Sequence, residues 1–335
     1  MAGGSATGAA WAARHGEASS GGVRIHFVEN GPEDGPVVLL VHGFPELAYS
    51  WRHQLPALGA AGYRAVAIDV RGYGRSGKPP AVEDYRMVRH VADNVAVAAA
   101  LGPARAVIVG HDWGAPIASA SSLLRPDLFD ACALLSVPYN PPPRRRPTQV
   151  FAEMVGPDNE FYINYFQEPG KVEAEAETDL RRFLHAFYWG ASASGAGSGG
   201  ASLAVIPKGV RMVDQLPEPT SELEWLPPDD LDVYVAEFER TGLRGGLNRY
   251  RNIDRDAEDL APFRGRPLTV PALFIGGELD GPTVWGASAI AEFPKTLPDL
   301  RASHVLEGCG HWVQQEKAEE VNRLLLEFLR EVRPV

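Results

Sequence analysis

The chain is short of several things that would otherwise decide its class. Cysteine is scarce: Cys132 and Cys309 are the only two in 335 residues. They lie far apart without metal-ligand spacing, so free thiols in a reducing compartment are expected rather than a disulfide framework or a metal site. No apolar run approaches the ~20 residues a spanning helix needs, which argues against membrane insertion. Basic residues are outnumbered, 32 against 43 acidic ones, and the net charge of −11 comes with no basic stripe, so no nucleic acid partner is expected. The glycine-rich loop Asp69, Arg71, Gly72, Gly74, Arg75, Ser76 lacks the GxGxxG spacing and following helix of a dinucleotide site. An internal Asp69–Arg71 pairing accounts for its charges, and no cofactor is expected. Residues 1–22 are rich in Ala, Gly and Ser but lack the basic start and continuous apolar stretch of a secretory signal. They read as a disordered tail on a cytoplasmic protein.

What is present is a globular composition, 45% hydrophobic and 22% charged. Short apolar runs recur at Val23–Glu29, Val37–Val41, Ala65–Ile68, Val107–Val109, Ala133–Val137, Leu268–Ile275 and His304–Leu306, with helical stretches between several of them. That alternation predicts an α/β fold, a mostly parallel central sheet flanked by helices and joined by right-handed crossovers. The pattern breaks at Pro138. Pro141 to Pro147, with Arg144 to Arg146 inside, form a stiff connector, and from Thr148 to about Phe263 the chain is aromatic and helical with no convincing strand. Four segments follow: a tail at 1–22, a first core segment at 23–138, a helical cap at 139–263 and a second core segment at 264–335. Within the cap Phe161, Tyr162, Tyr165 and Phe166 share a helical face. Gly242 stops a helix containing Leu231, Tyr234, Val235 and Phe238. Gly190–Ser202 is low-complexity and reads as a flexible surface loop. An amphipathic helix from about Gln315 to Val332 closes the chain.

The stretch that organises the rest is VIVGHDWGAPIASASSLL, Val107 to Leu124. A β-branched run meets a helix of small residues, and Gly110 and Gly114 flank Asp112 as glycines flank the serine of a GxSxG nucleophile elbow. A carboxylate in that place suits an sp3 carbon bearing a leaving group, since displacement gives an alkyl ester that water can hydrolyse. Taken alone, Asp112 is as well explained as a helix N-cap. Its companions change that. The strand Val37–Val41 runs into His42, Gly43, Phe44, Pro45 and Glu46, where the Phe44 N–H can be aimed at a developing oxyanion. Asp280 lies just beyond a strand ending in Gly276 and Gly277, and His311 follows Gly308 and Gly310. The order nucleophile, acid, histidine is that of α/β hydrolases, with His311 activating water and Asp280 fixing its tautomer.

At this point the chain resembles the α/β-hydrolase epoxide hydrolases, from about Val37 to Leu329. The matching pieces are HGFPE at His42–Glu46, DVRGYGRS at Asp69–Ser76, GHDWGA at Gly110–Ala115, FYINYFQEPG at Phe161–Gly170, TGLRGGLNRYRN at Thr241–Asn252 and GCGHW at Gly308–Trp312. The resemblance implies an α/β-hydrolase fold with an inserted helical lid. It also implies two cap tyrosines, Tyr162 and Tyr250, that hold the epoxide oxygen; Tyr165 is a neighbouring candidate for the first. On that reading Asp112 attacks the epoxide, His311 backed by Asp280 hydrolyses the ester, the N–H groups of Phe44 and Trp113 form the oxyanion hole, and Trp113 also contacts substrate. Substrate and water are then the only small-molecule partners, the substrate mostly apolar, and the protein a monomer or homodimer. A haloalkane or haloacid dehalogenase shares the Asp nucleophile and the following Trp, but needs halide-binding donors rather than paired tyrosines. A ligand-binding protein on the same fold is the other alternative, set against five intact catalytic positions.

Overall fold

Strands covered on both faces must be apolar at every position, and short runs of Val, Ile, Leu and Ala therefore form the centre of the molecule. In the computed structural model, which describes residues 13–102, 104–196 and 203–335, the strands are β1 (Arg14–Ser20), β2 (Val23–Asn30), β3 (Val37–Val41), β4 (Arg64–Ile68), β5 (Ala106–His111), β6 (Phe129–Leu135), β7 (Asn159–Phe161), β8 (Val205–Pro207), β9 (Ala272–Gly277) and β10 (Leu300–Leu306). Eight of them make one sheet in the order β1-β2-β4-β3-β5-β6-β9-β10. Pairing is parallel from β4 to β10 and antiparallel at β1–β2 and β2–β4. Val37, Leu39 and Val41 face one buried cluster and Val38 and Leu40 the other, as the two-residue period of a strand requires. The first cluster continues into the inserted segment, so core and cap share one apolar interior.

Several expectations are corrected. Part of the segment read as a disordered tail is strand β1, paired with β2 from Arg14↔Glu29 to Ser20↔Val23. Its sequence is polar because only one side is covered: Ala18 and Ser20 turn inward. The hairpin signal was Gly21–Gly22, both at positive φ, 56° and 84°. The cap is not strand-free either, since β7 and β8 form an antiparallel pair too short to show a period. Phe161 ends β7, and the helix of its neighbours begins at Tyr162. The Asp69–Arg71 pair does not exist. Arg71 makes a bidentate bond to Asp93 at 2.8 and 2.5 Å, a better match to a planar guanidinium, while Asp69 meets His26 at 2.8 Å and accepts the N–H groups of Ala48 and Arg75. The closing helix is broken into Val313–Glu316 and Ala318–Val332.

The cap comprises the helices Pro147–Val155, Tyr162–Tyr165, Lys171–Ala176, Leu180–Ala191, Pro228–Thr241, Arg244–Tyr250 and Ile253–Asp259, with Gly242 at φ 67° ending the fifth. It is latched to the core by an Arg52–Asp230 ion pair at 2.8 Å and by Tyr188 Oη donating to the Pro45 carbonyl. Of the stretch read as a flexible surface loop, residues 197–202 lie outside the described ones. Gly190, Ser192 and Gly195 are buried, since residues with little or no side chain let backbones pack closely. No described helix is long and apolar enough to cross a membrane.

Candidate active site

The turn between β5 and the helix Gly114–Leu124 holds Asp112 at φ 51°, a left-handed conformation rare outside glycine. Its neighbours leave no room for side chains. A Cβ on Gly110 would lie 1.9 Å from the Gly114 carbonyl oxygen, and one on Gly114 would lie 1.9 Å from that of Val41. The N-cap explanation of Asp112 does not apply, because the residue at the cap position is Trp113 and the carboxylate points elsewhere. The Phe44 N–H donates to its Oδ1 at 2.8 Å, and its Oδ2 lies 3.5 Å from His311 Nε2. Gly43 is held to hydrogen at its α-carbon, since a Cβ there would sit 2.2 Å from Asp112 Oδ1.

Asp280, at the end of β9, is fully buried and meets His311 Nδ1 at 2.8 Å. Burial alone would lower the His311 pKa, but the charges of Asp280 and Asp112 and their hydrogen bonds outweigh it and hold it well above the ordinary value. Sequence reading missed the groups that brace this pair. Ser136, at φ 70° just past β6, sets its Oγ 3.0 Å from His311 Nδ1. Thr283 Oγ1 bonds Asp280 Oδ2 at 2.8 Å and the Ser136 carbonyl at 2.9 Å. His111, next to Asp112, spans Glu46 Oε2 at 2.7 Å and the His311 carbonyl at 2.8 Å. Burial would raise the Glu46 pKa, yet His111 overrides it and brings it to about 2. Glu46 and His111 lay inside motifs already singled out; nothing in the sequence marked Ser136 or Thr283.

Asp112 and His311 open into a cavity of about 340 Å³ walled by Phe44, Tyr162, Phe187, Leu203, Tyr250 and Trp285, among others. The Tyr162 and Tyr250 rings stand 6.0 Å apart. Burial, reinforced by the Asp112 charge, pushes both phenol pKa values far up, so both hydroxyls stay protonated. Tyr165 is not at the cavity: its hydroxyl donates to Glu175 and accepts from the Met212 N–H at 3.2 Å. Trp113 departs from expectation at its side chain: the ring does not line the cavity. That ring packs edge-on against Tyr250 at 5.0 Å, under the Arg249 guanidinium, and faces a separate apolar recess. Both cysteines are free and buried.

A sharp elbow carrying a carboxylate, an acid–histidine pair past the last two strands and a helical lid define an α/β hydrolase with an aspartate at the elbow. The α/β hydrolase fold family matches residues 36–318. Epoxide hydrolase B of Mycobacterium tuberculosis is 42% identical over 93% of this chain and 97% of its own, and epoxide hydrolase A of the same organism is 45% identical over 92% and 94%. A solved epoxide hydrolase from an endophytic Streptomyces superposes with a TM-score of 0.92 at 57% identity, covering 96% of each chain. The chain belongs to the epoxide hydrolases of the α/β-hydrolase fold.

Proposed function

We propose that this epoxide hydrolase opens its substrate by attack of the Asp112 carboxylate on an epoxide carbon, opposite the breaking C–O bond. The attacking oxygen is Oδ2, because Oδ1 is engaged by the Phe44 N–H. Tyr162 and Tyr250 hydrogen-bond the epoxide oxygen, and one of them delivers a proton to it, since an alkoxide is otherwise a poor leaving group. The product is a hydroxyalkyl ester of Asp112.

His311 then becomes a base when one is needed. In the free enzyme two carboxylates raise its pKa; esterification removes the Asp112 charge and leaves only Asp280 to do so. The imidazolium loses its proton, which restores the phenol. The neutral imidazole next deprotonates a water that attacks the ester carbonyl, and so returns to its starting charge. The oxyanion forms on Oδ1 at the Phe44 N–H and is completed by the Trp113 N–H; one such donor contributes about 3 kcal/mol. A vicinal diol leaves. The apolar walls favour a neutral, mostly apolar epoxide, the segment 139–263 acts as the lid, and two buried free thiols fit a reducing, cytoplasmic setting.

The observation that carries this reading is one carboxylate with an N–H on one oxygen, an imidazole near the other and two protonated tyrosines in the same cavity. The test is diol formation from a panel of terminal, aryl and internal epoxides without added cofactor, beside haloalkanes. Diol that disappears in Asp112→Ala supports it. Halide release with inert epoxides would identify a dehalogenase, and silence on both would leave a binding protein.

A further inference from the structure

The loop that carries His311 is held by the cap as well as by the sheet. The His311 N–H donates to the Ala191 carbonyl at 2.9 Å, and Trp312 Nε1 donates to the Tyr188 carbonyl at 2.9 Å. Both acceptors lie on the helix Leu180–Ala191. Gly310 lies so close to the next turn of the cap that a Cβ would sit 2.3 Å from the Ala193 nitrogen and 2.4 Å from the Ser192 carbonyl carbon. A single carboxylate locks this contact. Glu316 Oε2 accepts from the Gly310 N–H at 3.0 Å and the Ala193 N–H at 2.9 Å, while Oε1 accepts from the Trp312 N–H at 3.0 Å. It thus grips the N–H groups of the residues on either side of His311 and ties both to the cavity wall, which includes Gly190, Ala191 and Ser192. Glu316 itself lies outside that cavity, beside a separate groove.

We infer that Glu316 is a positioning residue for the hydrolytic half of the reaction: it sets the reach of His311 to the ester and makes that reach depend on the seating of the cap. The inference rests on the Asp112 ester mechanism above. Three charge-assisted bonds from one carboxylate cannot be reproduced by an amide, which offers one acceptor oxygen and would turn its NH2 toward N–H donors. Attack by Asp112 does not use His311, so alkylation should survive the change while ester hydrolysis slows.

The experiment is steady-state and single-turnover kinetics of Glu316→Gln, with intact-protein mass and His311→Gln as reference. The expected result is a fall of roughly tenfold in both kcat and KM, kcat/KM within about twofold of the parent, and an ester that accumulates on the protein. Gly310→Ala pushes the same contact apart from the other side and should give the same split; it decides the question if Glu316→Gln does not fold. Unchanged kinetics, or a loss of kcat/KM with no accumulated ester, overturns the inference. Ester on His311→Gln but none on Glu316→Gln overturns it alone, whereas no ester on His311→Gln overturns the Asp112 mechanism and this inference with it.

Discussion

The proposed nucleophile and base of this site are fixed in different ways. Asp112 stands on an elbow seated in the sheet: a Cβ on Gly110 would meet the Gly114 carbonyl within the turn, one on Gly114 would meet that of Val41 on the adjacent strand, and the strand before and helix after are both buried. His311 stands on a loop held by partners far away in the chain, Ser136 at a separation of 175 residues and Asp280 at 31, together with the cap turn near Ala191. A device built into the sheet thus holds Asp112, and a long-range one that includes the cap holds His311. The difference suggests that the second half-reaction is the one a change in the cap can tune.

The largest effect is expected where the long-range device depends on a single charge. Asp280→Asn removes the leading attraction that holds the His311 pKa up, and should lower that pKa toward the ordinary histidine value in an imidazole titration by NMR. Turnover should fall by about 10³–10⁴-fold, as when a triad acid is neutralised. A loss in turnover with an unmoved titration would mean that Asp280 acts only through packing.

Glycine substitutions separate the two regions directly. Gly114→Ala drives a Cβ into the Val41 carbonyl of a buried strand and should destabilise the protein by ~3 kcal/mol or more in denaturant unfolding. Gly310→Ala meets the Ser192 and Ala193 backbone of the cap with a smaller overlap, 2.3 Å against 1.9 Å, so its stability loss should be about 2 kcal/mol while ester hydrolysis suffers. Equal losses at both positions would erase the distinction drawn between elbow and loop.

This contrast also explains what the sequence revealed. The elbow, the HGFPE turn and the order Asp112, Asp280, His311 are local patterns, and so were readable. Tyr162 and Tyr250 came by resemblance to a family. Ser136, Thr283 and Glu316 were invisible because a serine after a strand or a glutamate in a short helix acquires its task only when distant segments meet. The strand β1 was overlooked for a related reason: an edge strand needs apolar residues on one side only, and its partner was not yet known.

Glu46 touches both regions, bonding His111 beside Asp112 and the Gln314 and Gln315 amides just past His311. Its pKa is lowered from 4.5 to about 2, so the stability it contributes is present above about 4.5 and is lost as pH falls through about 2. Unfolding free energy should therefore decline across that window, and Glu46→Gln should flatten part of the decline. Asp69, also at about 2, should supply much of what remains. A decline of unchanged steepness in the variant would show that Glu46 is not the coupling charge.

The smallest effect is expected at Tyr165. Tyr165→Phe removes a bond to Glu175 away from the cavity and should change kcat/KM by less than about threefold, against roughly 10²-fold for Tyr162→Phe. The reverse ranking would move the proposed acid three residues along the cap, to Tyr165.

The central claim, that the substrate's new oxygen comes first from Asp112, is tested most directly by a single turnover in heavy-oxygen water with enzyme in excess. The diol released should carry no label, and the label should appear in the peptide containing Asp112. A diol labelled in that first turnover would mean that water attacks the epoxide itself, and the ester on Asp112 would have to be given up.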